Sequence, residues 1–181
     1  MTSESYRKVL DAPPSQSTLI GTDLVRQAVE ASRRSPRRRI ILPLHKSSDA
    51  KLHRMLNAIQ PYSYIQAHRH LHPPKPESII VLQGAIIAFV FGETGEVEET
   101  TVLAAGTAAF GIDFEPGVLH TFFALQRDTV LFEVKPGPYE VRTDKDFATW
   151  APAEESPAAA GYMASLYAYA GKFGWPVPDR D

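Results

Sequence analysis

The chain has 181 residues, enough for one full hydrophobic core and short for two. An apolar content of 44% with 22% charged residues is that of an ordinary globular protein and excludes the collagenous, disordered and membrane classes. A formal net charge of −2 gives no global pull toward nucleic acid or an anionic membrane, and the absence of cysteine excludes disulfides, thiolate metal sites and a cysteine nucleophile together.

Met1 to Thr18 is polar, carries Pro13-Pro14 and reads as a loose arm. Met1 to Gln16 has no apolar core of signal-peptide length, and no later run approaches a membrane span, so cytoplasmic residence is expected. Thr22 or Asp23 is expected to cap a short helix over Leu24 to Ser32, with Leu24, Val25, Ala28 and Val29 as its apolar stripe. The arginine-rich run Arg33 to Arg39 follows, interrupted by Pro36. Such runs are usually solvated, and no aromatic platform is interleaved with the arginines, so the run reads as a solvated loop and no nucleic-acid partner is expected.

Ile40 to Leu44 reads as a short strand that Pro43 places at an edge, and Ser47 or Ser48 is expected to cap a helical turn over Asp49 to His53. Strand-length segments then succeed one another: Met55 to Ile59, Tyr62 to His70, Glu77 to Leu82, Ala85 to Phe91, Val97 to Leu103, Thr107 to Ile112, His120 to Leu125 and Thr129 to Val134. Pro73-Pro74, Gly84, Gly92 to Gly95, Gly106, Pro116-Gly117 and Arg127-Asp128 punctuate them. Short strands joined by tight turns predict a mainly β protein, an antiparallel sandwich or barrel. Asp144 to Trp150 reads as a short helix or turn that packs Phe147 and Trp150 on the barrel. Ala158 to Phe173 reads as a C-terminal helix with a stripe of Tyr162, Leu166, Tyr169 and Phe173, docked on the barrel or on a second subunit and ended by Pro176 and Pro178. The expected organisation is an N-terminal arm and helix over 1–39, a barrel over 40–140 and a C-terminal extension over 141–181.

The chemistry concentrates in His68-Arg69-His70-Leu71-His72. Side chains on a strand repeat every two residues, so alternate histidines share a face, together with Tyr64 and Gln66. The strand opening at Glu77 shares its parity with Ile79 and Val81, and His120 opens a later strand just after the Pro116-Gly117 turn. Imidazole nitrogens with one carboxylate suit a divalent transition metal and leave positions open for water or substrate. Arg54, Asn57 and Gln66 are candidates to line the barrel mouth and hold a substrate carboxylate or sugar hydroxyl, and Tyr64 is a candidate substrate contact or a barrel-filling aromatic. Glu133 and Lys135 share a face of the last strand, where a structural ion pair and a catalytic role are both open.

These motifs resemble the cupin superfamily. His70-Leu71-His72, four residues, Glu77, six residues and Gly84 match its first motif, with Tyr64 where a glycine is expected upstream. Of the second, Gly117, two residues and His120 remain, with Glu115 in place of the proline and Ala124 in place of the asparagine. The run Asn57 to Glu77 and the segment Phe132 to Tyr139 resemble more closely the WbuC-type cupins found with bacterial surface-polysaccharide genes, whose first motif is H-R-H, six residues, E. The resemblance implies a single cupin jelly-roll barrel with short N-terminal helices and a C-terminal helix. It implies one divalent metal, Fe, Zn, Mn, Ni or Co, held by His68, His70, Glu77 and His120. In the generic register His72 replaces His68; otherwise His72 sits just outside the ligands. It also implies a small-molecule ligand. The net charge leads us to expect no membrane partner, and edge strands that need covering together with the aromatic-rich C-terminal segment predict a homodimer. The expected function is a metal-dependent enzyme, an isomerase, epimerase or dioxygenase, on a small polar, sugar-related substrate, or alternatively a non-catalytic sensor or carrier.

Overall fold

The computed structural model describes residues 6–175, 177 and 178. In chain order its elements are α1 (Thr22–Arg34), β1 (Arg39–Pro43), β2 (Leu52–Ile59), β3 (His68–Arg69), β4 (Glu77–Gln83), β5 (Ala85–Phe91), β6 (Val97–Ala104), β7 (Gly111–Phe114), β8 (Leu119–Ala124), β9 (Thr129–Pro136), β10 (Asp146–Phe147) and α2 (Ala159–Gly171). The strands form two five-stranded sheets, ordered β1-β2-β9-β4-β7 and β10-β3-β8-β5-β6. The antiparallel pairs β2–β9, β3–β8, β4–β7 and β5–β6 nest inside one another. One long hairpin with its tip at β5–β6 has been rolled across two sheets, which is the jelly-roll topology.

Alternation of side chains along each strand decides what lies between the sheets. Ile59, Ile79, Val81, Ile86, Phe122, Ala124 and Leu131 form the apolar interior. The same inward-facing rows then turn polar. On β2 the buried positions run from Ile59 through Asn57 and Met55 to His53, on β9 from Leu131 through Glu133 to Lys135, on β4 from Val81 through Ile79 to Glu77, and on β8 from Ala124 through Phe122 to His120. Cross-strand register aligns these rows, pairing Met55 with Glu133 and His53 with Lys135. The barrel is therefore sealed by hydrocarbon at one end and lined with ionisable groups at the other.

Both outer faces are partly covered. Ala28 and Val29 of α1 pack on Ile40, Leu42, Leu56, Ala58 and Val130 of the first sheet. Ala159, Met163, Leu166, Tyr167 and Ala170 of α2 pack on Ala85, Ile87, Phe89, Phe91 and Phe123 of the second. Burial on both faces is why β5 reads as an unbroken apolar run. Gly84 makes the turn from β4 to β5 at φ +77°, where a Cβ would lie 2.4 Å from the Thr129 hydroxyl, so only glycine fits.

Several expectations need correction. Neither Thr22 nor Asp23 caps α1: Gly21 is the N-cap, and its carbonyl accepts from Val25 N at 3.0 Å. Ser47 and Ser48 start no helical turn. Ser47 Oγ accepts from Asp49 N in a tight turn, and β2 begins at Leu52 because ladders to β1 and β9 hold it on both sides. Of the segment Tyr62 to His70 only His68–Arg69 is strand, since the chain is crossing between sheets and its carbonyls are met by side chains, Tyr64 O by Arg39 and Ile65 O by Thr121. Asp144 to Trp150 contains no helix but the short strand β10, paired with β3. Trp150 does pack on Phe91, with ring centroids 5.1 Å apart.

The docking face of α2 is rotated from the expected stripe. Leu166 belongs to it and Tyr162 and Tyr169 pack at its margin, but Phe173 is exposed, and Tyr167 is buried with Ala170, its hydroxyl donating to Ala124 O at 2.8 Å. Small alanines on that face let the helix approach the sheet closely. Met1 to Ser5 of the expected arm, and Pro176 with its expected helix-ending role, lie outside the described residues.

The arginine run is solvated only in part: Arg33 and Arg34 are exposed in the last turn of α1, and the arginines after them turn inward. Arg33 donates to Asp128 Oδ1 at 2.8 Å, and Arg37 and Arg39 reach Glu154 at 3.2 and 2.6 Å. Arg39 is buried and also donates to Ser63 Oγ and Tyr64 O. Burial alone would raise the Glu154 pKa, but Arg39, with help from Arg37, brings it below the ordinary carboxylate value. Its contribution to stability is thus present above that ordinary value and is lost as pH falls through the depressed folded one. Glu154→Gln should cost about 2 kcal/mol at pH 7 in urea denaturation, a discount on the cost of breaking a fully buried pair because Glu154 is partly exposed. The gap from the parent should close on acidification, and a penalty that persists unchanged at low pH would assign the loss to something other than this charge.

Candidate metal centre

His68, His70, Glu77 and His120 converge at the polar end of the barrel, each 3% exposed or less. His68 pairs directly across the ladder from His120, and Glu77 enters from the facing sheet. One donor atom from each of the four lies within 4.8 Å of every other. His72 is exposed in the turn before Pro73 and stands outside this group.

Hydrogen bonding fixes how the rings present themselves. His68 Nδ1 faces Gln66 O at 2.8 Å, His120 Nδ1 faces Val118 O at 2.9 Å, and His70 Nδ1 faces Asp144 O. A carbonyl only accepts, so each Nδ1 carries hydrogen, and in the neutral ring each Nε2 presents a lone pair. His120 Nε2 then faces Glu77 Oε2 at 3.1 Å, and His70 Nε2 faces Glu77 Oε1 at 3.6 Å. Buried lone pairs aimed at carboxylate oxygens repel unless a cation lies between them. His70 Nε2 has no hydrogen-bond partner at all. The orphaned nitrogen and this all-acceptor convergence fit a divalent transition metal.

The electrostatics agree. Burial holds the His68 pKa well below its ordinary value, assisted by the nearby Lys145 charge, so this ring is neutral. Burial would raise Glu77, but Lys135, 3.5 Å away, holds it well below the carboxylate range. Lys135 also faces Glu133 at 3.8 Å and Asp144 at 3.3 Å, and these carboxylates keep it charged against the pull of burial. Glu133 is pushed up to about 7, chiefly by burial and then by the charge of Glu77. Phe114 stacks on His120 with centroids 4.0 Å apart and screens that ring from water.

A cavity of about 630 Å³ opens beside the cluster, lined among others by Asn57, His68, Glu77, Glu133, Lys135 and Lys145. Of the residues expected to line the mouth, Asn57 does so. Arg54 has the outward parity on β2 and is exposed. Gln66 is turned away and donates to Ala148 O and Ala151 O. Tyr64 fills space outside the barrel, 6.3 Å from the Phe123 ring, and its hydroxyl donates to Pro152 O. The loss of strand geometry over 60–67 removed the parity that would have aimed Tyr64 and Gln66 inward. His53, Asp144 and Lys145 were not anticipated. His53 could have been found from its spacing with Met55 and Asn57, whereas Asp144 and Lys145 follow the last long strand in a segment with no periodic signal.

Residues 20–103, less than half of the chain, match the family model described as "Domain of unknown function (DUF6016)". No curated protein matches the sequence. Among solved structures the chain is similar to CapF of Staphylococcus aureus, a capsular polysaccharide assembling protein, at 15% identity and a TM-score of 0.49, covering 59% of this chain and 29% of that one. It is similar to KdgF of a Halomonas species at 18% identity and a TM-score of 0.42, covering 57% and 80%. It is also similar to the cupin domain of Schizosaccharomyces pombe Cnp3 at 12% identity and a TM-score of 0.42, covering 54% and 64%. Among the described residues no helix is long and apolar enough to cross a membrane. By its nested strand pairs and two-sheet order, this chain has the jelly-roll fold, an architecture that cupins share.

Proposed function

We propose that the protein is a metal-dependent enzyme that holds one divalent transition-metal ion through His68, His70, Glu77 and His120 and acts on a small polar, sugar-related molecule in the adjoining cavity. The observation that carries this reading is the convergence of buried lone pairs on Glu77, with His70 Nε2 unpartnered, at the wall of a cavity of about 630 Å³. Such an ion supplies Lewis acidity toward a substrate oxygen. The chain's own part is to hold each imidazole by its Nδ1–H, to keep Glu77 ionised through Lys135, and to shield His120 behind Phe114. The sugar-related part rests on the resemblance of the His68–Glu77 segment to WbuC-type cupins. A cytoplasmic homodimer belongs to the same reading, with the exposed Ile80 and Leu82 of β4 as part of what a second copy covers.

The test is turnover. Activity on a small sugar-related substrate should disappear both in chelator-stripped protein and in Glu77→Ala. Retained metal and tight ligand binding, with no turnover across a broad substrate panel, would instead make the protein a sensor or carrier.

A further inference from the structure

The cavity beside the metal ligands holds several cations, and most of them are already satisfied. Arg39 is closed onto Glu154, Ser63 and Tyr64 O. Lys135 lies among Glu77, Glu133 and Asp144. Arg37 donates to Glu154 at 3.2 Å, Lys46 donates to Pro13 O, and Lys8 is exposed to solvent. Lys145 differs. It lines the cavity close enough for its charge to act on His68, Glu77 and Glu133, yet it makes no hydrogen bond or ion pair among the described residues. Glu77 and Glu133 act on this ammonium only from beyond ion-pair distance, which leaves room for an anion to become its direct partner.

A second unsatisfied group faces the same space. Asn57 is 6% exposed and donates Nδ2 to Glu133 Oε2 at 3.2 Å, while its Oδ1 has no donor. A buried carbonyl oxygen without a donor costs free energy that a ligand hydroxyl recovers. Neutral sugars would satisfy Asn57 and leave Lys145 unpaired, and amines would be repelled by Lys145. One ligand class satisfies both, carrying a carboxylate and a hydroxyl on the same small skeleton.

Resting on the metal-centre reading above, we infer that Lys145 and Asn57 form a substrate subsite for a small hydroxycarboxylate, with Lys145 taking the carboxylate and Asn57 Oδ1 accepting from a hydroxyl. The cavity volume of about 630 Å³ accommodates acids up to the size of an open-chain sugar acid.

Calorimetric titration of the protein as purified tests this, with L-lactate, L-malate and D-gluconate as probes and lactamide and sorbitol as uncharged controls. At least one acid should bind about tenfold or more tightly than either control. Lys145→Met, which keeps the length of the side chain and removes the charge, should abolish that preference, and Lys145→Arg should retain most of it. Metal content, measured on every sample, reads the fold and the metal centre separately. Metal-loaded protein with no acid preference, or a preference that survives in Lys145→Met, overturns the subsite and leaves the metal centre standing. A Lys145-dependent preference in protein that takes up no metal supports the subsite and overturns the metal centre.

Discussion

Protein purified without chelator should carry about one equivalent of a first-row transition metal, and the His68→Ala/His70→Ala variant should carry less than about a tenth of that. The magnitude follows from how the ligands are held. Each ring is fixed by an Nδ1–H bond to a backbone carbonyl, at Gln66 for His68 and at Asp144 for His70, so no other side chain is positioned to replace them. His72 is exposed beyond the end of the strand and offers no substitute. Elemental analysis reads the result directly, and far-UV circular dichroism confirms that the variant is folded. Full metal content in the double variant would refute the ligand set. Substituting His72 alone should leave metal content unchanged, which separates the two registers in which the motif can be read.

Lys135→Met should lower the free energy of unfolding by about 3 kcal/mol or more in metal-free protein. Lys135 is 6% exposed and stands within 3.8 Å of three buried carboxylates, Glu77, Glu133 and Asp144. Without its ammonium those groups must either remain charged in a low dielectric or take up protons, and either costs stability. The penalty should shrink in metal-loaded protein, because a bound dication compensates Glu77 independently. Urea denaturation with and without metal checks both statements, and a loss under about 1 kcal/mol in metal-free protein would show that the carboxylates are compensated by something other than Lys135.

Much of the barrel was legible because it rests on local periodicity. Ala85 to Phe91 is read from sequence with its exact bounds, and Gly84 is read as a turn. The pairing of His68 with His70 was readable for the same reason, since short-range alternation predicts a shared face, whereas Glu77 opens another strand and joined them through the resemblance. What escaped was set by pairing at a distance. Tyr64 and Gln66 have the right parity on paper, but the crossing between sheets leaves only His68–Arg69 as strand, and the two side chains turn toward the C-terminal extension. The arginine run looked solvated because its partners, Asp128 and Glu154, lie far along the chain. Lys145 carries no sequence signal whatever, and its position is a consequence of β10 pairing with β3.

The rolled hairpin also implies an order of assembly. Closing β5 on β6 needs only the short turn over 92–96, whereas His120 meets Glu77 across 43 residues and Glu133 meets Asn57 across 76. Loop closure grows more costly with the length of chain enclosed, so the tip zips first and the outer pairs follow. The ligands come from β3, β4 and β8 and from the chain just beyond β3, and none comes from the tip. A metal bound by these four residues would therefore have no complete nest to enter during the early steps of folding, and would act as a late latch on a barrel that has already wound itself up.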